Sequence, residues 1–150
     1  MSNNETNKEG PENLAELKKS INRKSNWRER LDAVEELGEW KDRETMELLK
    51  HSMLGDPVYK VQLAAYEKLK ALGEQVSKPE YKNEDPIKGT KKILIRIKKS
   101  LPADHSYEDF KDKVKKMRLD LYDTYEGEKG EEFDSWLEET WSSLPSRRIK

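Results

Sequence analysis

The chain of 150 residues contains no cysteine. That absence excludes disulfides, thiolate-bound zinc, iron–sulfur clusters and thiol nucleophiles together. Histidine is almost as scarce: His51 and His105 stand far apart, and neither belongs to a recognised metal or nucleophile motif. The seven glycines are scattered at the ends of helical patterns, so no glycine-rich phosphate loop occurs. Long apolar runs are missing as well. The longest uncharged stretch, Thr140 to Ser146, is seven residues, against the ~20 needed to span a bilayer. The opening MSNNETNKEG is polar and lacks the apolar centre of a signal peptide. A cytoplasmic protein with no membrane segment, no cofactor and no metal is expected.

Charge is what the chain has in abundance. Thirty basic and 31 acidic residues nearly cancel, to a net −1. Leu, Ile, Val and Phe make only 29 of the 150 residues, close to the limit for a folded domain. Net charge near zero opposes disorder, and ten Trp and Tyr residues add large burial at low entropic cost. The balance predicts a small folded domain with a thin core and a surface laced with ion pairs.

Periodicity then divides the chain into helices and predicts an all-α fold. Residues 1–10 read as a disordered tail. A short helix is expected over about 11–23, with Leu14, Leu17 and Ile21 on one face. Ser25 or Asn26 caps the next, which aligns Trp27, Leu31, Val34 and Leu37 and stops at Gly38. Asp42 opens a helix striped with Met46, Leu49 and Met53, ending at Gly55. Asp56-Pro57 reads as N-cap and first helical position of a fourth helix, which runs to Leu72 and Gly73. The pattern then collapses in EQVSKPEYKNE, residues 74–84, and Asp85-Pro86 restarts a helix that Pro102 ends. The β-branched run Ile93–Ile97 would also suit a strand. Ser106 with Asp109 resembles a capping box and opens a stripe of Tyr107, Phe110, Val114, Met117, Leu121 and Tyr125. A turn at Gly127–Gly130 and a last helix with Phe133, Trp136, Leu137, Trp141 and Leu144 complete the domain at about residue 145, before a basic tail, 146–150.

Sliding the sequence by 32 residues superposes ERLDAVEELGEW, Glu29–Trp40, on VQLAAYEKLKAL, Val61–Leu72. Leu31 falls on Leu63, Ala33 on Ala65, Val34 on Tyr66, Leu37 on Leu69 and Trp40 on Leu72. A small residue recurs where large ones flank it. With Asp56-Pro57, Val61-Gln62-Leu63-Ala64-Ala65 and Leu69, and earlier Arg30-Leu31, Ala33 and Leu37-Gly38, residues 25–101 resemble HEAT and HEAT-like repeats. The resemblance implies two antiparallel helical pairs in a short α-α superhelix, within a single domain over 11–145. Its ends would be capped by the N-terminal helix and the C-terminal pair, 106–145. It departs from the family at Gln62, where arginine is usual, at Asp32 in place of the first alanine, and in the long 74–84 loop. Members of the family mostly act as protein-binding scaffolds; a minority bind nucleic acid and a few are chromophore-lyase subunits.

No catalytic residue is assigned. A Ser–His dyad from His105 and Ser106 is weaker than an ordinary cap at Ser106. The acidic stretch DTYEGEKGEEFD fails as a calcium loop, because Glu128 stands where glycine is needed. Two binding candidates remain. The first is a basic strip of Lys88, Lys91, Lys92, Arg96 and Lys99, together with Lys98, uninterrupted by any acidic residue from Ile87 to Ser100. A solvated face, or neutralisation by the acidic segment Asp104–Glu139, is weighed above nucleic-acid contact. The second is apolar: Trp40 at the end of its helix, and Leu119 with Tyr122, which fall off their stripe and would form a small adhesive patch. The expected function is a non-catalytic protein–protein interaction scaffold. The alternatives are polyanion or nucleic-acid binding through the basic helix, and a small lyase-type enzyme subunit.

Overall fold

A computed structural model describes residues 11–82 and 85–146. The expected tail 1–10 and all but Ser146 of the basic tail lie outside the described residues. Every regular element described is helical, and Ile93–Ile97 is helix rather than strand. Among the described residues no helix is long and apolar enough to cross a membrane. The contacts group the chain into two compact units that part after Lys82.

The first unit holds α1 (Leu14–Ile21), α2 (Trp27–Leu37), α3 (Arg43–Gly55) and α4 (Tyr59–Ala71). Local chemistry sets its boundaries. The Asn26 side chain accepts from the Glu29 N–H at 3.1 Å, and Asp42 accepts from the Thr45 N–H at 3.3 Å, so α2 and α3 begin at the residues that cap them. At the other end of α4, Gly73 takes φ of +95°, and the Gly73 and Glu74 amides close onto the Lys70 and Leu69 carbonyls. Leu17, Ile21, Trp27, Val34, Leu37, Leu49, Val61 and Leu69 form the core of this unit. Ala33 and Ala65 are 2% and 0% exposed. Their helices, α2 and α4, pack against each other, and in a close-packed interior a side chain buried to this degree has little room to grow. Gly38 serves the same closeness by another route. A Cβ there would collide with the aliphatic stem of Lys68, whose ammonium goes on to Glu35 at 3.2 Å.

One polar cluster is sealed inside this unit. Arg30 Nε donates to Asp56 Oδ2 at 2.9 Å, with both side chains almost wholly buried. Arg30 also reaches the Arg23 carbonyl at 2.8 Å, while Asp56 Oδ1 accepts from the Val58 N–H at 2.9 Å. Gln62 Nε2 donates to the Asp56 carbonyl at 2.6 Å. The assignment of Asp56 as the cap of α4 is therefore corrected. The helix begins at Tyr59, with Val58 in the cap position, because the Asp56 carboxylate is drawn inward by Arg30. The cluster ties the turn before α2, the body of α2 and the α3–α4 junction together. The 74–82 segment that follows is extended but anchored: Lys50 meets Glu74 at 2.9 Å, Val76 packs on the core, and the Tyr59 hydroxyl donates to the Pro79 carbonyl at 2.7 Å.

The second unit contains α5 (Thr90–Lys99), α6 (Tyr107–Met117), α7 (Leu119–Lys129), a 3-10 turn (Gly130–Glu132) and α8 (Phe133–Ser143). The Ser106–Asp109 capping box is present in both directions. The stripe expected to run unbroken from Tyr107 to Tyr125 is interrupted at Arg118, whose φ of −138° and ψ of 70° end one helix and start the next. Its guanidinium holds Asp120 through two 2.9 Å bonds. This pair raises the pKa of Arg118 and lowers that of Asp120. Met117, at the end of α6, is exposed, and α7 is buried on more than one side, Tyr122 as well as Leu121 and Tyr125. The turn expected at Gly127–Gly130 is also displaced: α7 continues through Lys129, and Gly130 alone takes positive φ. Leu94, Ile97, Phe110, Val114, Leu121, Tyr125, Phe133 and Leu137 form the core, with Trp136 stacked on Tyr125 at 4.6 Å.

Two substitutions test this packing. Ala65→Leu should overpack the α2–α4 contact and cost about 1–3 kcal/mol in chemical denaturation; an equally stable variant would refute the tight-contact role of Ala65. Arg30→Met should cost about 3–5 kcal/mol, because it strands a buried carboxylate. Adding Asp56→Asn, which keeps an acceptor for the Val58 N–H, should recover part of that loss in the same assay.

Candidate functional site

Helix α5 shows how one short segment serves both a core and a surface. Gly89, at φ of +74°, turns the chain into the helix. Thr90 then locks its first turn from inside: its hydroxyl donates to the Ile87 carbonyl at 2.7 Å and lies 2.8 Å from the Tyr125 hydroxyl. Thr90, Leu94, Ile97 and Lys98 face the core.

The opposite side carries Lys92, Ile95, Arg96 and Lys99, spaced i, i+3, i+4, i+7, a single helical face. With Ser100 they line an open depression of about 450 Å³. Ile95 is half-buried, touching the core with part of its side chain and the depression with the rest. The three cations are exposed, as are Lys88 and Lys91, which lie outside that lining. Within the described residues none of the five forms an ion pair, whereas Lys18, Lys50, Lys68 and Lys111 each hold a carboxylate. Among the described residues no carboxylate of the acidic C-terminal segment forms an ion pair with the strip, and two of them are held elsewhere. Asp134 is committed to Lys111 at 2.6 Å and to the Tyr107 hydroxyl at 3.1 Å, contacts that lower its pKa, the Lys111 bond first. Asp120 is committed to Arg118. Placement near the C-terminal end of α5 favours Arg96 and Lys99 through the helix dipole, but leaves their charge open to solvent and to any anion that approaches.

Lys98 departs from the strip. It is 5% exposed, and its ammonium donates to the carbonyl of Trp141 and, at 2.7 Å, to that of Leu144. It also lies 5.1 Å from the centre of the Trp141 ring. Burial lowers its pKa below the ordinary lysine value, while the two carbonyls and the indole face keep the charge compensated. Lys98 thus caps the C-terminus of α8 from a neighbouring helix.

The remaining sequence candidates are dispersed. Trp40 is half-buried in the turn between α2 and α3. Leu119 is 45% exposed, but Tyr122, expected to join it at the surface, is only 8% exposed and packs edge-on against Phe133 at 5.0 Å. The correction follows from α7 being buried on more than one side, with Phe133 covering Tyr122. His51 is exposed on α3. His105 sits in the loop before α6, with its Nδ1 2.6 Å from the Pro102 carbonyl. Its Nε2 accepts from the Trp141 indole N–H at 2.9 Å. Both ring nitrogens are occupied, and the Ser106 hydroxyl accepts the Asp109 amide, so the two side chains make no dyad. No group of three or more His, Cys, Asp or Glu able to hold a metal occurs among the described residues.

The cations were legible in the sequence, but Ile95 was not singled out, since an isoleucine inside an apolar-rich helix reads as core. Its spacing from Lys92 and Lys99 was the available signal. No protein-family model, curated protein or solved structure matches the chain.

Lys98→Met should remove the two carbonyl bonds and destabilise the second unit by roughly 1.5–3 kcal/mol, read as an earlier denaturation midpoint. Lys99→Met, one residue on and exposed, should leave that midpoint within about 0.5 kcal/mol of the parent.

Proposed function

We propose that the chain is a non-catalytic protein–protein interaction module built on HEAT-like helical pairs, and that it docks an anionic face of its partner on α5. The observation that carries this reading is the set of exposed cations, Lys92, Arg96 and Lys99 foremost, left without carboxylates around an apolar-floored depression. Such charge costs solubility nothing, and what sets this face apart is the helical spacing of its cations around Ile95. The burial of Ala33 and Ala65, on two helices that pack against each other, supports the repeat-like reading of the first unit. Superhelical stacking, with α1 and the C-terminal helices as caps, is part of the same proposal.

Nucleic-acid binding is the second reading, favoured by the same cations at helical spacing. The net charge of −1 and the isoleucine at the centre of the face weigh against it, because a phosphate backbone offers nothing apolar to that side chain. A lyase-type subunit has no support from side-chain chemistry, with His51 exposed and His105 engaged on both nitrogens.

The test compares the intact chain with the charge reversal Lys92→Glu/Arg96→Glu/Lys99→Glu in co-purification followed by cross-link mapping. The partner should cross-link near α5, and the triple variant should lose it while its helical circular dichroism stays unchanged. Undiminished capture by the variant would place the interface elsewhere. Failure to hold any partner, together with salt-sensitive oligonucleotide binding, would favour the second reading.

A further inference from the structure

The face on α5 is more specific than a cluster of positive charge. Three cations and one apolar side chain occupy positions i, i+4, i+7 and i+3 of a single helix, with the apolar one between the others. At ~1.5 Å rise per residue the cations from Lys92 to Lys99 span roughly 10 Å along the axis. The depression over Ile95 is open rather than enclosed by the residues that line it, so it suits a side chain inserted from above better than an engulfed small molecule. Among the described residues the lining contains no aromatic side chain, which deprives single-stranded nucleic acid of a stacking platform. One half-buried isoleucine is also too little apolar surface for insertion into a lipid interface.

Resting on the interaction reading above, we infer that the α5 face receives an acidic amphipathic helix. Carboxylates on the partner, spaced three and four residues apart, meet Lys92, Arg96 and Lys99, and one aliphatic side chain between them enters the depression over Ile95. The match is one of repeat distance as well as charge, because two helices laid side by side share the same axial rise and the same i, i+3, i+4 rows. The apolar contact supplies register and the rim charges supply attraction and exclusion of basic partners. Ser100 adds a hydroxyl at the edge of the depression, its oxygen already donating to the Ile97 carbonyl at 2.6 Å and free to accept.

The experiment uses the full chain and fluorescence anisotropy with a synthetic peptide of about 18 residues, long enough to be helical in isolation. One face of the peptide carries glutamates around a central leucine, and alanine and glutamine fill the rest. A second peptide replaces the leucine by serine. A third keeps the composition but scrambles the order so that no acidic face forms. An oligothymidylate and vesicles of mixed phosphatidylserine and phosphatidylcholine complete the set. The designed helix should bind, and Lys92→Gln/Arg96→Gln/Lys99→Gln should weaken it by roughly tenfold or more, about the sum of three exposed ion pairs. Both Ile95→Ser in the protein and leucine-to-serine in the peptide should weaken binding severalfold, and their effects should not add, as expected of side chains in contact. Equal affinity for the scrambled peptide, tighter binding of the oligonucleotide or the vesicles, or no peptide binding at all would each overturn the inference. If the cellular partner still depends on Lys92, Arg96 and Lys99 while every acidic helix fails, the interaction reading stands and the partner's form is something other than a helix.

Discussion

Scarcity of apolar surface is the constraint on which the rest of the molecule depends. With a third of its residues hydrophobic and 41% charged, the chain gathers its buried apolar side chains into two clusters and completes each with polar groups that most small domains would keep outside. In the first unit the Arg30–Asp56 pair occupies interior space and joins three separate pieces of backbone. In the second, the Lys98 ammonium closes the end of α8 where an aliphatic side chain would have left carbonyls bare. Such groups cost desolvation, and they hold only because each donor and acceptor finds a partner of good geometry. Their compensation is specificity of arrangement, since a guanidinium fork fits one disposition of backbone where a leucine would fit several.

Much of the helical layout was legible from residue pattern because helix boundaries are local events. Asn26, Asp42 and Ser106 each act within three residues of themselves, and their caps could be placed without knowing what the helices pack against. Asp56 shows where that logic stops. Followed by proline it looks like a fourth cap, but its carboxylate is shared between the Val58 amide and an arginine 26 residues away, and the helix starts beyond it. The long stripe from Tyr107 to Tyr125 misled for a related reason. Nothing in the periodicity marks Arg118 as a break, as it is neither glycine nor proline. Leu121 and Tyr125 stay buried as the stripe requires, but α7 is buried on more than one side, so Tyr122 is core too, while Met117, the last residue of α6, is surface.

The candidate site divides the same way. Exposed cations are visible in any helical wheel, because charge and solvent go together. The wheel also holds the position of Lys98, four residues after Leu94 on the buried side; what it does not hold is the pair of α8 carbonyls that receive the ammonium there. Nor did composition show that carboxylates of the C-terminal segment were spent on Arg118, Lys111 and Tyr107, so that total charge was a poor guide to local charge. Balanced counts across a chain say little about balance across a face.

The joint at Arg118 has a consequence beyond the change of direction it imposes. Chain reversals set by glycine or proline are enforced sterically and respond little to the solution around them. This one is accompanied by a clasp of opposite charges, half open to solvent, with side-chain exposures of 35% and 53%. Small ions screen such a clasp, and at ~1 M salt its reach contracts to a few ångströms. What the medium can weaken here is therefore the electrostatic hold on the first turn of α7, where Arg118 and Asp120 sit two residues apart, whereas the buried Arg30–Asp56 pair at the α3–α4 corner is shielded from it.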